Sequence, residues 1–144
     1  MAVLALTDAV ITINGVAVQS KANSVTLNYE VDSIEVTSFD GSGARKFAGG
    51  LQNNSLEVAL MQDFAVTIPA VSPTTSVEAL IYPLVGTTTT VTVKATSAST
   101  SVTNPLYTLS GTFLASHTPV AGGVGELVVT SLSFAGGTIV KTTT

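Results

Sequence analysis

Few side chains in this sequence could carry out acid–base, nucleophilic or metal chemistry. The single histidine, His117, lies two residues before Pro119, and there is no cysteine. Zinc and nucleophilic sites need such residues at fixed spacings, and neither HExxH nor the GxSxG serine motif occurs. We therefore interpret His117 as an ordinary residue at the end of a strand, and we expect no catalytic residue, no metal and no cofactor.

Two carboxylates, Glu30 and Asp32, stand two residues apart and could in principle share a proton or bind calcium. Strand alternation places them with Thr26 and Asn28 on the polar side of one strand. The spacing of an EF-hand loop is absent. The sequence therefore favours a solvated face over a carboxylate site.

The most unusual stretch is a glycine-bearing loop at residues 40–50. It carries Arg45 and Lys46, two of only five basic residues in the chain, followed directly by Phe47. Loops that display charge and an aromatic side chain usually contact a partner. Two basic residues give only a weak contact with nucleic acid, and the net charge of −4 argues against a protein that grips a duplex. We expect contact with another copy of the chain through Asp40, Arg45, Lys46 and Phe47.

The composition supports the same expectation. The 144 residues predict a single domain, 1–144, with a real hydrophobic core. Charged residues make up 10% of the chain, against roughly 25% in an ordinary soluble domain. The apolar runs are shorter than the ~18 residues that a spanning helix needs, so we predict no membrane anchor and a surface covered by partners. The absence of cysteine fits folding in a reducing cytoplasm.

The elements that must position these residues are mostly strands. Asn14-Gly15 between β-forming residues predicts a tight hairpin. The alternation of apolar residues slips by one position near Asp32-Ser33, which predicts a bulge or a tight bend. In a later strand, Leu109 and Phe113 are predicted on one face. The alternating segments are 10–18, 23–36, 56–61, 87–96, 106–117, 126–134 and 138–141, and together they predict a mainly β sandwich or barrel.

One short helix interrupts the strands. Residues 75–78 read as a capping box in which Thr75 accepts from the amide of Glu78. Apolar residues then recur at the helical period to Val85, while Pro83 and Gly86 provide stop signals. The sequence predicts one flanking helix at about residues 76–85.

Four segments resemble the tail tube, or major tail, proteins of long-tailed, siphovirus-like bacteriophages. They are residues 36–40 (VTSFD), 43–47 (GARKF), 49–52 (GGLQ) and 55–58 (SLEV). The later order also matches, with a proline-bounded segment, a helix near 76–85 and then three strands. Two positions depart from the family pattern: Lys46 stands where an acidic residue is expected, and Gly50 where proline is expected.

The resemblance implies a β-barrel or sandwich with a flanking helix and a long loop between two inner strands. It implies a non-enzymatic virion protein, assembled in the host cytoplasm, whose copies form stacked hexameric rings. The loop at 40–50 would reach the neighbouring ring. The implied partners are the tape-measure protein, the tail terminator and the distal tail proteins, and double-stranded DNA would pass through the tube without specific contacts.

Physical reasoning adds a hypothesis about the lumen. A channel lined by hydroxyls and carboxylates repels phosphate, whereas basic residues would hold the DNA. We predict that Glu30, Asp32 and Glu57 line it. A β-sandwich adhesin or carbohydrate-binding module is the alternative, although the chain has no Trp and three Tyr for a sugar platform. A contractile-phage or secretion-system tube is not distinguished by sequence from a siphovirus tube.

Overall fold

The computed structural model describes residues 4–62, 64 and 76–144. The described part is mainly β, as the sequence predicts. Its strands are β1 (Val10–Ile13), β2 (Val16–Ala17), β3 (Ala22–Asn28), β4 (Val31–Glu35), β5 (Phe47–Gln52), β6 (Ser55–Met61), β7 (Thr88–Lys94), β8 (Leu106–Leu114), β9 (Val129–Ala135) and β10 (Thr138–Thr142). Helix α1 (Val77–Ile81) continues into a 3₁₀ turn, Tyr82–Leu84. Among these residues, no helix has the length and apolar character needed to cross a bilayer.

Eight strands form one antiparallel sheet, and β4 and β5 form a separate two-stranded sheet. The order in the large sheet is β2-β1-β7-β8-β9-β6-β3, with β10 paired to β8 beside this path. Strands β3 and β6 pair directly, from Asn28 opposite Ser55 to Ala22 opposite Leu60. The segment between them is consequently a hairpin that extends outward from their shared end.

The predicted first hairpin is confirmed. Asn14 and Gly15 both have positive φ, 52° and 80°, as a type I′ turn requires. The backbone N–H of Val18 donates to the carbonyl of Ile11 at 2.9 Å and closes the hairpin.

The large sheet bends where β8 changes partners. The first half of β8 pairs with β10, while Phe113 and Leu114 pair with the end of β9. Gly111 lies at this change with a φ of 69°, and the register with β7 shifts beside it, so β8 carries a bulge. Beyond the bulge, the side chains of β8 alternate in the opposite sense. As a result, Leu109 is buried but Phe113 is 42% exposed. The prediction that these two residues share a face is therefore wrong.

The core lies between the two halves of the bent sheet. Its buried side chains come from β1 and β7, from β6 and β9, and from β8, which joins the two halves. Helix α1 adds Val77, Leu80 and Ile81 to the same cluster, which confirms its flanking position. The largest buried members are Ile13, Leu56, Leu60, Ile81, Leu109, Leu114, Leu132 and Phe134.

The helix begins one residue later than the capping-box prediction allows. Ser76 is the N-cap, and its hydroxyl accepts from the backbone N–H of Ala79 at 3.1 Å. Thr75, the predicted cap, lies outside the described residues. Serine and threonine are both good N-caps, so only the backbone conformation could choose between them.

Two strand boundaries also differ from prediction. Strand β8 ends at Leu114, before His117, and β9 starts at Val129 rather than at residue 126. The reason lies in the intervening turn, where Gly122 and Gly125 have positive φ and the N–H of Glu126 donates to the carbonyl of Gly123 at 3.1 Å. A backbone closed into this turn cannot extend the strand.

Candidate assembly interface

The feature that stands out from the body of the protein is the hairpin of residues 29–54, which we call the arm. Strands β4 and β5 pair from Glu35 opposite Phe47 to Val31 opposite Gln52. The last four residues of the predicted loop at 40–50 are therefore strand, because β5 already begins at Phe47. The pairing of β4 with β5 shifts register between Val31 and Ser33, where the sequence predicts an irregularity. The extra residue, however, lies on β5 and not on the strand whose alternation slips.

Both sides of the arm are exposed. All five residues of β4 and all but one of β5 are exposed, although the arm carries large apolar side chains. Phe39 is fully exposed and Phe47 is 58% exposed. A concentration of exposed apolar side chains on one segment is typical of an interaction site. The exposed apolar side chains of the arm are Tyr29, Val31, Ile34, Val36, Phe39, Phe47 and Leu51.

Gly50 lets the two strands of the arm pack closely. A Cβ at this position would lie 3.0 Å from Cδ1 of Ile34 and 3.3 Å from Cβ of Asp32. Gly50, which stands where the resembled pattern has proline, is therefore the residue against which the Ile34 side chain packs. A side chain at this position would require the exposed side chain of Ile34 to shift by a few tenths of an ångström.

Ion pairs close the tip of the arm. The ammonium of Lys46 pairs with the carboxylate of Asp40, which also accepts from the backbone N–H of Ser42 at 2.9 Å. The Lys46 contact, helped by Ser42, lowers the pKa of Asp40 to about 2. Nε of Arg45 lies 3.9 Å from the carboxylate of Glu35, and its side chain is 79% exposed. Lys46, which departs from the pattern that the sequence resembles, thus has an acidic partner within the same tip.

The structure brings together the four residues predicted to touch another copy. Asp40, Arg45, Lys46 and Phe47 all lie at the tip of the arm and are all exposed. The backbone also orders this tip, since the N–H of Val36 donates to the carbonyl of Lys46 at 2.8 Å. That the residues contact a neighbouring subunit stays a prediction.

Asn54 fastens the base of the arm to the body, a role that no motif in the sequence indicates. It is fully buried. Its Nδ2 donates to the carbonyl of Gly137 at 3.1 Å, and its Oδ1 accepts from the backbone N–H of Glu30 at 3.3 Å. Its own carbonyl accepts from the N–H of Gly136 at 2.9 Å. One side chain therefore links the arm to the turn between β9 and β10.

The three carboxylates predicted to line a lumen are all exposed. Glu57 lies across from Thr26 on β3 and Ser133 on β9, on the outer, polar face of the sheet. The carboxylate of Glu30 accepts from the side chain of Asn28 at 3.3 Å, which continues this polar row toward the arm. Asp32 lies farther along, within the arm itself.

Three strands of the large sheet keep an unpaired edge within the described part of the chain. Strand β2 pairs only with β1, β3 only with β6, and β10 only with β8. A groove of about 390 Å³ lies between β3 and β10, lined in part by Val25, Leu27, Tyr107 and Ile139. Open edges beside apolar surface are a template for pairing with another chain.

His117 is more buried than the sequence-based interpretation implies. Neither ring nitrogen has a hydrogen-bond partner, and both are inaccessible to solvent. Burial lowers the pKa of His117, and the nearby carboxylate of Glu78 opposes that effect. Within the described residues, no group of three or more His, Cys, Asp or Glu side chains could hold a metal ion.

Comparison with known proteins identifies the fold. No protein-family model and no curated protein matches the sequence. A chain from the sheath/tube terminator of PVC, an extracellular contractile injection system in its extended state, is 14% identical with a TM-score of 0.67 over 98% of this chain and 97% of that chain. A chain from the tube-terminating cap of the anti-feeding prophage is 13% identical with a TM-score of 0.64, over 100% and 93%.

A chain from the virion of a native gene transfer agent particle also has a similar structure. It is 17% identical with a TM-score of 0.63, over 94% of this chain and 95% of that chain. The protein therefore has the mainly β fold found in chains of contractile injection systems and of a gene transfer agent particle, along nearly its whole length.

Proposed function

We propose that this protein is the tail tube subunit of a phage-like particle. Copies of the single domain, 1–144, form hexameric rings that stack into a hollow tube. The role is structural and involves no enzymatic chemistry. The observation that carries the proposal is the arm: a double-stranded projection with exposed apolar side chains on a chain that has few charges to solvate it.

The edges of the sheet support ring formation. An isolated antiparallel sheet must protect its unpaired backbone groups, and pairing β3 of one copy with an edge strand of the next would satisfy them. Contacts of this head-to-tail type close into a ring when the rotation between copies allows it. The fold, shared with chains of tube-bearing injection systems, is compatible with this arrangement.

The polar face of β3, β6 and β9 is the best candidate for the lumen. Small hydroxyl side chains surround Glu57 there, and no Lys or Arg occurs on the three strands. Double-stranded DNA would meet a hydrated surface that offers its phosphates no cation to bind. Glu30, Asp32 and Glu57 would make that surface repulsive to phosphate, so that DNA passes through to the host.

The partners follow from the same proposal. The tube would be filled by a tape-measure protein during assembly in the host cytoplasm, and it would be capped by a tail terminator and joined to distal tail proteins. The mature protein would reside in the virion.

Negative-stain electron microscopy of the purified protein tests the proposal directly. Rings or hollow tubes that increase with protein concentration are the expected result. A dispersed monomer at high concentration would contradict it. In that case a glycan array would test the alternative, a β-sandwich adhesin or carbohydrate-binding module.

The lumen assignment has its own test. A phage carrying Glu30→Lys and Glu57→Lys together should assemble normal tails, because both residues are exposed and outside the core. Ejection of its DNA should slow, since two added cations per subunit would attract phosphate. Unchanged ejection kinetics would show that these carboxylates face elsewhere.

A further inference from the structure

The arm and a second exposed apolar segment lie at opposite ends of the same three strands. The arm leaves the sheet where Asn28, Ser55 and Ala135 lie side by side. At the other end of these strands, Met61 lies opposite Val129, two residues after the segment 120–127. We call residues 120–127 the distal turn.

Hydrogen bonds within the chain hold the distal turn in place. Gln62, just beyond β6, fixes both sides: its backbone N–H donates to the carbonyl of Val128 at 2.9 Å, and its Nε2 donates to the carbonyl of Pro119 at 2.8 Å. The carboxylate of Glu126 accepts from the N–H of Gly123 at 2.9 Å and closes the turn.

This fixed turn presents apolar side chains to solvent. Val120 is 77% exposed, Val124 fully exposed and Leu127 66% exposed. Its one charged side chain is Glu126, an exposed carboxylate. The turn is thus an apolar patch with a single negative charge.

The tip of the arm is complementary to that patch. It presents Phe39 and Phe47 together with Arg45, whose guanidinium has only a long contact to Glu35 and is largely exposed. A guanidinium has five donors, so most of its hydrogen-bonding capacity is unused. Lys46 differs, because Asp40 already holds it.

A contact between complementary surfaces at opposite ends of one body is head-to-tail. Between identical copies such a contact generates a filament wherever the rotation between copies does not close a ring.

We propose that the tip of the arm docks on the distal turn of a second copy in the next ring, with Arg45 of one copy paired to Glu126 of the other. This inference rests on the proposed tube function and names the partner surface of the arm. Burial against apolar side chains would strengthen the ion pair relative to one in water.

Charge exchange tests the pairing in the full-length protein. Arg45→Glu and Glu126→Arg, each alone, should reduce the amount of pelletable tube about tenfold or more, because each leaves two like charges facing one another. Both positions are exposed, so rings should persist. The double variant, Arg45→Glu with Glu126→Arg, should restore tubes.

The matched control is Arg45→Glu with Glu57→Arg, which has the same net charge but no reciprocal pair. It should stay defective. If the control recovers as well as the charge-exchanged variant, or if either single variant assembles normally, the pairing is wrong although the parent still forms tubes. If the parent forms neither rings nor tubes, the proposed function itself fails.

A disulfide gives an independent readout, because the chain contains no cysteine. Phe39→Cys combined with Val124→Cys should give a ladder of cross-linked oligomers on a non-reducing gel when tubes are treated with copper phenanthroline. Phe39→Cys with Val102→Cys is the control, since Val102 is 77% exposed but lies on the β7–β8 loop. Equal ladders from both pairs would overturn the docking geometry.

Discussion

At the scale of single residues, buried polar groups decide how the arm is attached. The side-chain amide of Asn54 forms hydrogen bonds with Glu30 of the arm and with Gly137 of the β9–β10 turn. A buried amide needs such partners, because leaving one of them unpaired costs free energy. The Asn54 side chain thus helps to hold the base of the arm against the body, together with the backbone hydrogen bond from Asn53 to Glu30.

Asn54→Ala should lower the free energy of unfolding of the dispersed subunit by about 1–3 kcal/mol, because the N–H of Glu30 and the carbonyl of Gly137 lose a buried partner. Urea titration measures the change. Asn53→Ala is the control: Asn53 is exposed and bonds to Glu30 through its backbone N–H. Equal losses in the two variants would contradict the anchoring role of Asn54.

His117 should make stability depend on pH. Its pKa is lowered in the folded protein by burial, so the unfolded chain takes up a proton first as the pH falls through about 6.5. The free energy of unfolding should therefore decrease below that pH until the lowered pKa is reached. His117→Leu should flatten this part of the curve in urea titrations at several pH values. Parallel curves for the two proteins would show that His117 does not carry the effect.

At the scale of elements, glycines set the geometry of the sheet. Gly111 allows the bulge that turns β8 from one partner to another, and Gly137 passes against that bulge. The two halves of the sheet face one another across the core for this reason. Alternation of side chains cannot continue through a bulge, which explains why Phe113 is exposed.

Gly137→Ala tests the close approach. The added Cβ would lie 2.3 Å from the carbonyl oxygen of Ser110, a distance that requires the backbone to move. We expect a loss of roughly 3 kcal/mol or more, or failure to fold. Gly136→Ala is the matched control, because Gly136 has a similar positive φ but open space around it, and it should cost about 1–2 kcal/mol. Similar losses at both positions would show that backbone conformation alone matters.

At the scale of the whole molecule, the core and the candidate interface are separate. Within the described residues, the hydrophobic core contains no residue of β4 or β5. The arm thus projects from the body and contributes no side chain of β4 or β5 to its core. This arrangement is expected when a segment serves assembly.

Replacing residues 37–45 with Asn-Gly should therefore remove assembly without unfolding the subunit. Val36 and Lys46 already form a hydrogen-bonded pair that a two-residue turn can close. The free energy of unfolding should change by less than about 1 kcal/mol, while tubes disappear. Urea titration and electron microscopy measure the two outcomes. Tubes of normal length would show that the tip is dispensable.

The sequence alone determined the fold class, the first hairpin, the flanking helix and the unusual character of residues 40–50. These follow from local signals: side-chain alternation, Asn14-Gly15, the helical period and an excess of glycine with charge. The low charge content also indicated a covered surface, because composition limits what can be solvated.

Only the tertiary structure decided where the sheet bends, that Phe47 begins a strand, and that Asn54 fixes the arm. Each depends on contacts between residues far apart in sequence, such as Asn54 with Gly137 or β3 with β6. The pairing register also placed the distal turn at the end opposite the arm. Local pattern cannot carry that information, since the direction of a loop depends on which strands pair and in which register.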